Sequence, residues 1–211
     1  MSGRDKAAPP GAEKVRCPWS GIADDLYARY HDEEWGVPQA DDRALFEKLV
    51  LEGFQAGLSW LTILRKRENF RAAFHRFDPE RIARYGTADV ERLMGDAGIV
   101  RNRAKIEATI DNARAMLALS DKTSLAAMLW QIAREDATAR APLTGIADAP
   151  AETPASRRMS KALKAQGFRF VGPTTVYAFM QSVGMVNDHI AGCHRHGPCA
   201  RLQKSFVPPH R

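Results

Sequence analysis

Four residues of two types, Cys17, His31, His189 and Cys193, hold the first candidate chemistry in this sequence. Thiolate sulfur and imidazole nitrogen are the donors of closed tetrahedral metal sites, and Cys2His2 is a composition typical of structural zinc. His189 and Cys193 stand four positions apart in NDHIAGC, a spacing that on a helix turn places both side chains on one face. Spacing alone leaves them free to be unrelated polar residues. A local alternative also competes, because Cys193, His194, His196 and Cys199 crowd the tail. Glu52 is the second anomaly: Leu45, Leu49 and Glu52 fall at i, i+4 and i+7. A carboxylate on that apolar face is costly to bury unless it is paired, hydrogen-bonded or protonated. Such an acid is a candidate binding-site group, and its plain alternative is a partner arginine or a place at the helix edge. Tyr27 and Tyr30 share a helix face directly before His31, and Trp60 follows Glu52 by eight residues. Aromatics at helical spacing are usually core. Beside a sheltered acid in a basic protein, these describe a box for a flat, cationic, hydrogen-bonding ligand such as an alkylated base.

The elements that must position these groups read as helices. The apolar face of Leu45 and Leu49, with Phe46 and Val50 beside it, predicts a helix from Asp42 that Gly53 and Gly57 loosen or end. SWLTILRKRENFRAAFHRF predicts another, with Leu61, Leu64 and Phe70 inward and Arg65, Lys66 and Arg67 solvated, stopped by Asp78-Pro79. Residues 89–119 give two helical patterns around a short turn at Gly98. A helix ending at Gly98 and a new one opening with Arg101, Asn102, Arg103 and Lys105 would present backbone N–H groups and positive charge to a phosphate. An ordinary helical hairpin with a solvated basic face fits equally well. Residues 136–158, rich in Ala, Pro and Thr, predict a long loop. In the block ending at NDH, Val176, Phe179, Met180 and Val183 keep helical spacing. The protein is therefore expected to be all-α, with one domain over 15–200, a disordered leader over 1–14 and a flexible tail over 201–211.

Composition narrows the function classes. The 211 residues are 45% hydrophobic, enough for a substantial core. No run approaches the ~20 uncharged apolar residues that span a bilayer, and MSGRDKAAPPGAEK lacks the apolar centre of a signal peptide, so a cytoplasmic protein without a membrane partner is expected. Three cysteines in a reducing compartment favour metal ligation or burial over disulfides. A net charge of +6 and a pI near 9.4 suit a polyanionic partner, though many basic enzymes bind none.

RCPW, LYARYHDEEWGVP, LFEKLVLEGFQAGLSW, FDPERIA, DAGIVRNRAKI, SKALKAQGFRFVGPTTVYAFMQSVGMVNDH and GC, in this order from about Cys17 to Cys193, resemble the DNA-3-methyladenine glycosylase I family of the helix-hairpin-helix superfamily. The resemblance implies a helix-hairpin-helix fold with a hairpin at about 93–106. It implies one structural Zn2+ held by Cys17, His31, His189 and Cys193, with His194, His196 and Cys199 outside the ligand set. It puts the base-recognising glutamate at Glu52 and the stacking aromatics at Tyr30 and Trp60, with Tyr27 and Trp19 bordering the pocket. Glu52 is the one residue with an expected catalytic part. The implied reaction is release of 3-methyladenine from alkylated double-stranded DNA by a monomer without lyase activity. Gly98, Arg101, Asn102, Arg103 and Lys105 are the expected DNA contacts, and Gly57 and Leu58 are expected to fill the gap left by the extruded nucleotide. The competing reading is a non-catalytic zinc-stapled module that grips DNA backbone, which would have no use for an enclosed acid.

Overall fold

The computed structural model describes residues 14–135 and 141–210, so nearly all of the expected leader and the first positions expected in the long loop, 136–140, lie outside the described residues. Helices α1 (Asp25–Glu33), α2 (Asp42–Gln55) and α3 (Trp60–Ala73) each start at a side-chain cap. Asp24 accepts from the Leu26 and Tyr27 amides, Asp41 from Ala44 and Ser59 from Thr62, satisfying donors that a helix start leaves unpaired. A 3-10 turn, His75–Phe77, ends the third helix. Asp78 then caps α4 (Pro79–Ile82) with the proline at its first position, as Asp-Pro predicts. Next come α5 (Thr87–Gly95), α6 (Arg103–Ser120), α7 (Leu125–Glu135), α8 (Pro154–Ala165), α9 (Pro173–Ser182) and α10 (His196–Ser205). No strand occurs among the described residues, in accord with the all-α expectation.

The central element is α2. Leu45, Phe46, Leu49, Val50, Leu51 and Phe54 are all buried, because α3, α7 and α9 pack around it. Phe54, Phe70, Phe74 and Phe77 continue this core as neighbouring rings 4.8–6.2 Å apart. Gly53 stays inside the helix, whereas Gly57 (φ +89°) follows its end, in a conformation that glycine adopts without steric cost. Gly184 (φ +71°) lets the chain after α9 press on the segment after α1, where a Cβ would collide with the Val37 and Pro38 backbone.

Three sequence boundaries need correction. The turn between α5 and α6 runs from Asp96 to Asn102, so the first helix ends at Gly95 and not at Gly98, and Asn102 is the cap of the second. The irregular segment ends at Thr153, since Thr153 caps α8 and Pro154 begins it. The tail from 201 is not simply flexible: α10 runs to Ser205, and Phe206 packs on Trp130 at 4.5 Å. Its purely basic charge, without an apolar stripe, concealed an element that buries Cys199.

Candidate functional site

Cys17, His31, His189 and Cys193 are all buried, and one ligand atom from each lies within 4.8 Å of the others. His189 Nδ1 is 3.4 Å from Cys193 Sγ and 3.7 Å from Cys17 Sγ, and His31 Nε2 is 3.5 Å from Cys193 Sγ. The two imidazoles are set for ligation by what their other nitrogens do. His31 Nδ1 donates to Asp32 Oδ1 at 2.9 Å, and His189 Nε2 donates to the Trp35 carbonyl at 3.1 Å. Each ring therefore turns its bare nitrogen toward the thiols. Asp32 also accepts from Arg16 and from His194 Nε2. Burial pushes its carboxyl up, but these donors outweigh it and hold it well below the usual carboxylate range. The hydrogen bond between the two thiols pushes the Cys17 thiol up and the Cys193 thiol down. Two buried thiols and two oriented imidazoles are a donor set that could hold a metal ion.

The local reason differs from the sequence expectation. His189 and Cys193 do not sit on a helix turn. They lie in irregular chain closed by a Cys193 amide bond to the Ile190 carbonyl at 2.8 Å. The tail alternative does not assemble, because His194 bonds to Asp32 and Cys199 faces Trp35. Gly36 (φ +80°) makes room, since a Cβ there would stand 3.1 Å from His189 Nε2.

Beside this cluster a cavity of about 380 Å³ is lined by all five predicted pocket residues, Trp19, Tyr27, Tyr30, Glu52 and Trp60. Tyr30 and His31 are consecutive on α1, so ligation of one fixes the other. The rings form a continuous wall: Trp19 to Tyr27 is 5.0 Å and Tyr30 to Trp60 is 5.5 Å between centroids. Glu52 is only 5% exposed, and no arginine pairs with it among the described residues. Burial pushes its carboxyl up to about 7, against pulls in the other direction from Lys48 and the Ser182 hydroxyl. Its charge raises the Tyr27 and Tyr30 hydroxyls further after burial has raised them.

Sequence reasoning missed several wall residues. Trp35 lines the cavity and meets both Trp19 and His189 edge-on at 4.7 and 4.6 Å. Its position four residues after His31 was the available signal. Leu143, Ile146 and Pro150 close the wall from the irregular segment, whose lack of periodicity gave none. Asp188, buried beside His189, accepts from Tyr177 Oη and Gln181 Nε2 and ties α9 to the ligand loop.

The expected DNA contacts separate. Arg101, Asn102 and Arg103 are exposed at the turn, with Arg103 bonded to Glu91 at 2.8 Å and the Asn102 side chain accepting from the Lys105 amide. Gly98 carries no free space for a side chain, being 2.9 Å from Asp96 Oδ1 at its would-be Cβ. Leu58 is 39% exposed next to Gly57 at the end of α2. Lys105 is a correction: it is buried, and its ammonium donates to the Phe54 and Ala56 carbonyls at 2.9 and 2.8 Å. It caps the end of α2 and does not face a phosphate. Lys105→Met should cost about 1–3 kcal/mol in denaturant unfolding, because it strands two carbonyls, while leaving the salt dependence of DNA binding unchanged.

Known proteins resemble this chain over most of its length. Residues 19–196 match the methyladenine glycosylase family. The chain is 50% identical over 179 residues to DNA-3-methyladenine glycosylase 1 of Escherichia coli (strain K12), covering 84% of this chain and 95% of that one. It is 45% identical over 186 residues to the DNA-3-methyladenine glycosylase of Haemophilus influenzae (strain ATCC 51907 / DSM 11121 / KW20 / Rd), covering 88% and 97%. A crystal structure of a 3-methyladenine DNA glycosylase I superposes with a TM-score of 0.81 at 52% identity, covering 86% of this chain and all of that one. The Staphylococcus aureus 3-methyladenine DNA glycosylase I, solved to explain its recognition of 3-methyladenine, superposes at 0.76 with 36% identity, covering 82% and 92%.

Proposed function

The chain belongs to the methyladenine glycosylase family, and we propose from that premise that its cavity receives an extruded 3-methyladenine from alkylated double-stranded DNA and hydrolyses the N-glycosidic bond. The observation that carries this is Glu52, sheltered in one cavity with Tyr30 and Trp60. Methylation at N3 leaves adenine cationic in DNA and weakens its bond to the sugar, so recognition matters more than a strong base. Glu52 as a carboxylate accepts from the exocyclic amine, and the rings face the positive base. Neutral adenine gains neither benefit in full. Extrusion costs a few kcal/mol, less for a damaged base. Water then bonds to C1′ as the C1′–N9 bond breaks. The bond's electron pair neutralises the base, and the water's proton leaves to solvent.

No lysine lines the cavity among the described residues, which supports a monofunctional enzyme that leaves an abasic site. Borohydride should accordingly trap no covalent DNA adduct. The resident metal on this reading is one Zn2+ in a structural part. A tetrahedron with Zn–S about 2.3 Å and Zn–N about 2.0–2.1 Å has S···N edges of about 3.6 Å, and three of the four such edges here run from 3.4 to 3.7 Å.

The pair α5 and α6 is read as the helix-hairpin-helix, gripping backbone through Gly98, Arg101, Asn102 and Arg103, with Gly57 and Leu58 entering the vacated stack. Lys66 and Asn69 brace that turn at the Gly98 carbonyl. The observed affinity falls with salt by a slope of about 0.9 per phosphate contact, so Arg101→Ala should lower the slope by about 1 across all sequences. The reading takes the protein to act in the cytoplasm as a monomer. No helix among the described residues is long and apolar enough to cross a membrane.

The direct test incubates the zinc-loaded protein with methylated DNA and separates the released bases. Release of 3-methyladenine with little 7-methylguanine is the expected result, and no release at all would end the enzyme reading.

A further inference from the structure

Lys48 is a charged group that recognition by Glu52 leaves without a part. It stands one helix turn before Glu52 on α2, and its ammonium lies 4.7 Å from the Tyr30 ring centroid and 5.0 Å from that of Trp60. Both rings bound the base cavity, but Lys48 itself opens on a neighbouring cleft with Glu34, Glu47, Arg67 and Ser182. The aromatic wall therefore carries a cation that lies outside the cavity lining. We propose that Lys48 is a positioning residue for base recognition: its ammonium, held against Tyr30 and Trp60, keeps Glu52 in its carboxylate form and so sets the pH range over which the cavity accepts a cationic base. This rests on the glycosylase reading above.

The surrounding charges favour this arrangement. From α1, Tyr27 and Tyr30 face Glu52 and supply no positive charge. From α9, Ser182 offers a hydroxyl. On the cleft side, Arg67 is committed to Glu34 through two hydrogen bonds, and Arg71 to Glu47 and Glu68. Lys48, one helix turn before Glu52 on α2, is thus the cation among the described residues that is placed to act on it. Burial pushes the Lys48 ammonium down to about 8, while Glu52 and Glu34 pull it up. A buried acid and a half-buried base can neutralise each other by moving one proton from nitrogen to oxygen. The rings oppose that transfer, because a π face attracts an ammonium far more than an amine. The proton stays on Lys48 and the negative charge stays in the cavity. The two rings that receive the base therefore also maintain its counter-charge.

The test uses the zinc-loaded full chain and the variants Lys48→Met, Lys48→Gln and Lys48→Arg. Single-turnover release of 3-methyladenine from methylated DNA is measured from pH 5.5 to 9, and the Glu52 carboxyl is titrated by carbon NMR. Lys48→Met and Lys48→Gln should move the acid limb upward by about one pH unit, a loss of about tenfold on that limb that vanishes at high pH. Lys48→Arg should restore the wild-type profile. The Glu52 midpoint should rise by the same amount in the two neutral variants. A midpoint that does not move overturns the inference, whether or not the protein releases base. A loss uniform across pH, or a loss in Lys48→Arg equal to that in Lys48→Met, also overturns it. If wild-type protein releases nothing, the glycosylase reading fails, while the NMR midpoint still decides the part played by Lys48.

Discussion

Cys17→Ala or His189→Ala, or exhaustive chelation of the wild-type protein, lowers the unfolding midpoint by about 10 °C or more. Loss of a structural metal belongs to the few changes that cost about 4 kcal/mol or more, and a chain of this size shifts by about 2–4 °C per kcal/mol. The local structure explains why so much would depend on an ion at this cluster. His189 and Cys193 come from chain without helical hydrogen bonds, held by single amide contacts such as His194 to Val15 and Ala191 to Leu143. Without a metal, two thiols and the inward-facing nitrogens of two imidazoles are crowded together in the interior with no cation between them. Scanning calorimetry with and without chelator measures the effect. A shift of only a degree or two would show that packing around Trp35 holds the ends of the chain without help.

Glu52→Gln lowers single-turnover release of 3-methyladenine by about 100-fold or more, the loss typical of removing one preorganised electrostatic group. Its effect on stability has the opposite sign and depends on pH. Burial raises the Glu52 carboxyl from 4.5 to about 7, so the folded chain binds that proton more tightly than the unfolded chain. Wild-type stability must therefore fall as pH climbs from about 4.5 through about 7 on account of this group. Glutamine removes the decline. Melting curves of wild type and variant should lie close together near pH 5 and diverge until about pH 7.5, with the variant higher. A variant that melts below wild type at pH 8 would show that the carboxylate stabilises the fold and is not held there for recognition.

The helices were legible wherever a cap and an apolar stripe coincided, as at Asp41, Ser59 and Asp78-Pro79. Glu52 stood out because it broke the stripe of Leu45 and Leu49. Lys48, on the same stripe by four residues, did not stand out, since a long side chain is ordinarily free to reach water. Lys105 shows the same limit from the other direction. Its charge suggested solvent and DNA, yet its partners are carbonyls 49 and 51 positions away, which no local pattern encodes. His189 and Cys193 were paired with the right residues on the wrong local geometry, because the pairing followed from the resemblance and the helix turn from spacing alone. The wall supplied by Leu143, Ile146 and Pro150 was invisible, as it depends on the path of the chain and not on periodicity.

The cluster of Cys17, His31, His189 and Cys193 joins position 17 to position 193, and α1 carries His31 next to Tyr30. During synthesis, then, the first aromatic wall leaves the ribosome long before the residues that will brace it. Tyr30, Trp35 and Glu52 are already translated, but no enclosed chamber can exist until His189 and Cys193 emerge. A truncated product of stalled translation would hold the rings of α1 and α3 without Tyr177, Asp188 and Ile190, which complete the cavity wall, so it should release no alkylated base.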